Sequence, residues 1–249
     1  MKLFPILFLN EEMRNGNDAL ANNLAASFQS SRITLFDPMK LKEFLKEQGD
    51  IEADDYNTIY KAVKGESKII VGSIDYWSRS GLSLVSTSAA IDGFGPLMYQ
   101  LAMYKVNPNF LACDTTLKPA SLKVWQKMFE FSNKGVYERS FLRLYGKDMF
   151  INRIDIHDGD SLRKYLQETD GDPSEETFLS WLKKHNLNPT DFGFLWAYRK
   201  KDFDSSFGQL LSKGEQAANE IKDGPELIRK MGVMFFEDLY GSEASYSEE

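Results

Sequence analysis

Cysteine is almost missing from this chain. The only one is Cys113, so no disulfide can form within it, and such usage suits a reducing compartment. Cys113 lies in an apolar, strand-like run and reads as a small buried hydrophobe. A catalytic thiol would want a histidine beside it, and the chain holds only two, His157 and His185. Long basic runs are also lacking. With 30 Lys and Arg against 37 Asp and Glu the net charge is -7 and the pI about 5.1, which disfavours nucleic acid as the main partner. Apolar runs are short, and none approaches the ~20 residues a membrane span needs. The start, Met1 to Asn10, is apolar but is interrupted by Pro5 and is followed by no small-residue cleavage site. It is expected to be a strand and not a signal peptide. No Gly-x-x-x-x-Gly-Lys-Ser/Thr, Gly-x-Ser-x-Gly or His-Glu-x-x-His motif occurs. Asp155-Ile-His-Asp-Gly-Asp160 does not fit the EF-hand spacing and has no second ligand group near it. It reads as a solvated turn, so no metal site is expected.

What is present is enough apolar material for a core: 42% hydrophobic and 13% aromatic residues in 249. That length fits one large domain or a domain with a helical extension. Asn17 or Asp18 can cap a helix whose apolar face includes Leu20, Leu24 and Phe28. Asp37-Pro38 is a second start signal, with Leu41, Phe44 and Leu45 at helical spacing and Gly49 as the stop. A third helix is expected from Asp54 to Val63. Lys68 to Trp77 is β-branched and aromatic and reads as a strand, turning through Ser78 to Gly81 into a second strand, Leu82 to Ala90. Val136 to Leu144 and Met149 to Ile156 look like two more strands. From Asp158 to Tyr240 the expectation is helices and loops. Phe192, Phe194, Leu195, Trp196 and Tyr198 there read as a helix-packing core, with an interface as the alternative. His185 suits a helix C-terminus, where positive charge complements the dipole. The divisions expected are an α/β domain over 1–157, a helical region over 158–240 and a disordered acidic tail over 241–249.

The most informative stretch runs from Ser83 to Phe129. After the strand comes a glycine turn, Asp92-Gly-Phe-Gly-Pro96, then an amphipathic helix from Leu97 to Tyr104. A short strand, Phe110 to Asp114, and a second helix ending at Phe129 follow. A glycine turn feeding a helix offers backbone N–H groups at the positive end of the dipole, where an anion such as a pyrophosphate can sit. A Rossmann reading fails, because Met98 stands where the third glycine belongs.

This order of strand, Gly-x-Gly turn, helix, strand and helix resembles the core of the GNAT (general N-acetyltransferase) superfamily. The wording Gly93-Phe-Gly-Pro-Leu-Met-Tyr99, then Leu101-Ala-Met103, Asp114, Ser121 and Val124-Trp125, is similar to GNAT-like proteins of tailed bacteriophages. The resemblance implies a mixed central sheet flanked by helices, here with a helical C-terminal extension. It implies acetyl-CoA as cofactor, with its pyrophosphate on Gly93, Phe94 and Gly95. A backbone amide within Ser86, Thr87 and Ser88 would polarise the thioester carbonyl. The acceptor would be a small-molecule or protein amine, in the host cytoplasm or the virion.

The match departs from the family at three places. Ala90 stands where the superfamily has Gln or Arg. Pro96 has no N–H, although proline suits a first helical turn. Trp125 replaces the tyrosine that protonates the departing thiolate, and an indole cannot serve as that acid. Tyr99 or Tyr104 could take the role, and Asp75, Asp92 or Asp114 could relay the amine's proton; Tyr99 and Asp114 are the pair assigned. Two function classes follow. One is an acyl-CoA-dependent N-acyltransferase. The other is a catalytically inactive GNAT-like module, as a virion component or a binder of phage or host proteins. A third reading is a binder of some other phosphorylated ligand.

Overall fold

The computed structural model describes residues 14–49, 55–64, 68–79, 82–112, 124–125, 127–128, 131–132, 134–145, 150–154, 167–169, 175–186 and 193–240. The expected first strand, Cys113, Asp114, Ser121, the 155–160 turn with its His157, and the tail lie outside these residues. The class is α/β, a mixed sheet with helices and a helical C-terminal part. Helices are α1 (Gly16–Ala21), α2 (Pro38–Gln48), α3 (Tyr56–Lys64), α4 (Gly95–Val106), α5 (Glu175–Lys184), α6 (Ser205–Asn219) and α7 (Gly224–Tyr240). Strands are β1 (Ala25–Gln29), β2 (Arg32–Phe36), β3 (Ile70–Arg79), β4 (Leu82–Ala90), β5 (Phe110–Ala112), β6 (Glu138–Tyr145), β7 (Phe150–Ile154) and β8 (Gly193–Arg199). Among the described residues no helix is long and apolar enough to cross a membrane.

The chain divides into two compact units. The first comprises Met1–Ile74, Ser88–Tyr99 and Ser205–Glu249. Its strand order is β1-β2-β3-β4, with β1 and β2 antiparallel from Ala25 opposite Phe36 to Gln29 opposite Arg32. Phe36, Leu41, Ile59, Ile69 and Ile70 pack with Leu227, Ile228, Met231 and Phe235 of α7 in one core. Capping sets the helix starts. The Asp37 carboxylate accepts from the Met39 and Lys40 amides at 2.9 and 3.2 Å, with proline next in line. Asp55 does the same for Thr58 at the head of α3.

The expected helix through Leu24 and Phe28 is not formed. Asn15 and Asp18 make a reciprocal capping box, but α1 ends after a few residues. Asn23 turns left-handed at φ 59, its N–H donates to Leu20 O, and the Leu24 N–H donates to Ala19 O at 2.9 Å. That is a Schellman stop with asparagine in place of glycine. The chain leaves it extended, and Leu24 and Ala25 are buried ahead of a β-hairpin instead of forming a helical face.

The second unit comprises Asp75–Thr87 and Gln100–Asp204. Its strand order is β3-β4-β5-β8-β6-β7, so β3 and β4 contribute to both units. β4 and β5 are parallel, Leu82 to Leu84 opposite Phe110 to Ala112. β8 corrects the helical expectation for the aromatic stretch. It pairs antiparallel with β5, Leu111 opposite Tyr198, and with β6, Phe141 opposite Trp196. The run is dense in aromatic residues, which fit a strand with neighbours on both sides. Tyr198 is fully buried and stacks on Trp125 at 5.7 Å, so this residue of the stretch is core, in a sheet and not in a helix.

Candidate functional site

The strand–turn–helix at residues 88–99 lies wholly in the first unit. Its last rung is the Ile91 N–H donating to Val71 O at 2.9 Å. Asp92 and Gly93 then both take left-handed conformations, φ 54 and 79. This lets the chain reverse, and the Phe94 N–H donates to Ile91 O at 3.2 Å. Phe94 O accepts from the Met98 N–H at 3.2 Å and opens α4. The turn therefore closes on itself, and the central amide of Gly93-Phe94-Gly95 is committed inside it. The Phe94 side chain is 2% exposed, with the Arg14 guanidinium 5.0 Å from its ring centroid.

Gly93 and Gly95 differ. Gly93 is fixed by its positive φ. A Cβ on Gly95 would meet nothing within 4 Å, so no close approach requires glycine there. Gly72 on β3 carries the steric burden: a Cβ on it would meet Met98 Sδ at 2.8 Å and the Ala90 Cβ at 3.2 Å. Ala90, where a polar anchor belongs in the GNAT pattern, is thus a small packing residue beside α4. Lys68 Nζ lies 3.3 Å from both carboxylate oxygens of Asp92. The carboxylate nearest the head of α4 in sequence is therefore paired, and its charge is offset by Lys68.

Of the expected acid–base and carbonyl-polarising residues, the structure brings two together. The Tyr99 hydroxyl lies 2.5 Å from the Ser88 hydroxyl, and Tyr99 is 3% exposed. Ser86 is exposed on β4, and Thr87 points to the opposite face from Ser86 and Ser88. Asp114 is outside the described residues. In the second unit Trp125 is 1% exposed against Tyr198, a core residue in its own right. Burial pushes the Tyr76 hydroxyl up to about 12 and the Tyr137 hydroxyl up to about 12, so neither is a ready acid.

Sequence reasoning missed a polar cluster in the second unit. Glu168 accepts from Lys184 Nζ at 2.9 Å and shares a hydrogen bond of 2.7 Å with His185 Nε2. The His185 ring lies 4.8 Å from that of Trp181. The bonds from Lys184 and then His185 hold the Glu168 carboxyl down at about 2. An open cleft of about 310 Å³ runs past Glu168, Thr177, Ser180 and Lys184. The run Lys183-Lys-His185 signals a need for counter-charge, but nothing in the sequence singles out Glu168. Among the described residues no group of three or more His, Cys, Asp or Glu could hold a metal. No family model matches the chain, and neither a curated protein nor a solved structure matches it.

Proposed function

We propose that this chain uses a GNAT-like strand–turn–helix–strand unit as a structural or protein-interaction module, in a phage virion or bound to a host protein, without acyl transfer. The observation that carries this reading is the closed turn: the Phe94 N–H is spent on Ile91 O. Two features support it. Ala90 packs against Gly72, and Tyr99 is buried with its hydroxyl on Ser88. Each removes something that cofactor binding or proton transfer uses. The test is thermal unfolding with millimolar acetyl-CoA. The module reading predicts an unchanged Tm, because only a ligand that binds the native state raises it. A saturable rise that Gly95→Trp abolishes would overturn it.

A second reading, acyl-CoA-dependent N-acyl transfer, is favoured by the parallel pairing of β4 with β5 around the helical crossover. Under it, acetyl-CoA would sit at Gly93–Gly95, Tyr99 would protonate the thiolate, and an amine would be the acceptor. Acetyl-CoA consumption that depends on an added amine and is lost in Tyr99→Phe selects this reading.

A further inference from the structure

Asn15 is the only asparagine of the chain that is followed by glycine. Glycine has no side chain to shield its nitrogen, so this peptide link is the one where that nitrogen most readily reaches the asparagine carboxamide. The fold holds the glycine in place: Gly16 is buried, and a Cβ on it would collide with the Ser206 hydroxyl at the start of α6. Asn15 itself is exposed, so water and hydroxide reach it.

The other described Asx-Gly links differ. At Asp223–Gly224 the glycine N–H is spent on Ile221 O at 3.0 Å, and at Asp92–Gly93 the electrophile would be a carboxylate paired with Lys68. At Asn15–Gly16 no acceptor among the described residues takes the Gly16 N–H, and the side chain is an uncharged amide. The capping box restrains it instead. Asn15 Oδ1 accepts from the Asn17 and Asp18 amides at 2.9 and 3.1 Å, and the Asn15 N–H donates to the Asp18 carboxylate at 2.7 Å. The backbone is extended there, ψ -174. Ring closure needs the Gly16 nitrogen nearly eclipsed with the Asn15 Cβ, so ψ and the side chain must both turn, and the box opposes both.

We propose that Asn15 is a site of spontaneous deamidation gated by this box, protected while α1 is closed and reactive when it opens. The Gly16 nitrogen gives its proton to hydroxide and attacks Asn15 Cγ. The new N–C bond forms, the carboxamide C–N bond breaks, and ammonia leaves with that electron pair and a proton from water. Water then adds to either carbonyl of the cyclic imide and one ring C–N bond breaks, leaving aspartate or isoaspartate. Aspartate sets a second carboxylate beside Asp18. Isoaspartate lengthens the backbone next to the point where Gly16 is held against Ser206, so α1 can no longer seat on α6 as before.

The test incubates the full chain at mildly alkaline pH and follows residue 15 by peptide mass spectrometry, with isoaspartate scored separately. Conversion should be about tenfold faster in urea than in the folded chain, because only open α1 reacts. Asp18→Ala, with the fold checked by circular dichroism, removes half of the box and should speed the folded reaction about fivefold. Asp18→Asn drops the charge but keeps an accepting oxygen, and should stay nearer the parent. A folded rate equal to the rate in urea overturns the proposal. So does equal acceleration by both Asp18 variants, since charge and not the box would then set the rate, and so does an Asn15 that stays intact in urea.

Discussion

Within the first unit, the glycines of α6 and α7 contrast with those of the turn at 93–95. Gly214 faces Ala26 of β1 so closely that a Cβ would run into the Ala26 carbonyl. Gly232 faces Thr34 and Ser73, where a Cβ would collide with the Thr34 hydroxyl and lie 2.9 Å from that of Ser73. These helices approach the strands at backbone distance, and glycine is what allows it. In the turn, Gly93 is needed for its φ, and Gly95 has open space around it. The glycine pair that draws the eye in the sequence is therefore ordinary turn chemistry. The glycines that neighbouring elements approach most closely, such as Gly214 and Gly232 in helices and Gly72 in β3, are scattered singly, where no motif marks them.

Substitutions can break that contrast. Gly214→Ala should lose the most, about 3 kcal/mol by urea denaturation, because the Cβ meets backbone that cannot rotate away. Gly232→Ala should lose about 1–2 kcal/mol, since side-chain hydroxyls can give way, and Ser73→Ala in the same chain should recover part of it. Gly93→Ala should lose about 1 kcal/mol from left-handed strain. Gly95→Ala should stay within about 0.5 kcal/mol of the parent. If Gly95→Ala proves as damaging as Gly214→Ala, the open space at the turn is misjudged and the contrast fails.

The second unit supplies a smaller, pH-dependent effect. The Glu168 carboxyl lies at about 2 in the folded chain, below the ~4.3 of an unfolded glutamate. A depressed value means that its stabilisation is complete above the unfolded value and is lost as pH falls towards the folded one. The urea midpoint of the parent should exceed that of Glu168→Gln at pH 6, and the two should converge as pH approaches 2. A difference that does not change with pH would mean that Lys184 and His185 do not act through the ionised carboxylate.

Much of the fold was legible where local chemistry decides. Asp37-Pro38 and Gly49 framed α2, β-branched residues marked β3, and Leu82 to Ala90 stood out as β4. The misreadings share a cause: a periodic apolar pattern was extended without its stop signal or its pairing partners. Asn22-Asn23 ended α1, because asparagine tolerates the left-handed cap as glycine does. β8 was hidden because aromatic residues favour helix cores and strands alike, and its partners, β5 and β6, lie far away in sequence. At the candidate site the turn and its helix were readable. The hydrogen bond from Phe94 to Ile91 was not, since it depends on Asp92, a non-glycine residue, also adopting positive φ. The contact of Tyr99 with Ser88 was unreadable for a similar reason: it depends on how α4 lies on β4.

The most direct test is an amide-resolved NMR titration with acetyl-CoA that follows Gly93, Phe94 and Gly95. With the turn closed on Ile91, the Phe94 amide should be protected from hydrogen exchange, and none of the three signals should move up to millimolar ligand. Saturable shifts centred on these amides, with Phe94 exchanging freely before ligand is added, would contradict the account and return the turn to cofactor binding.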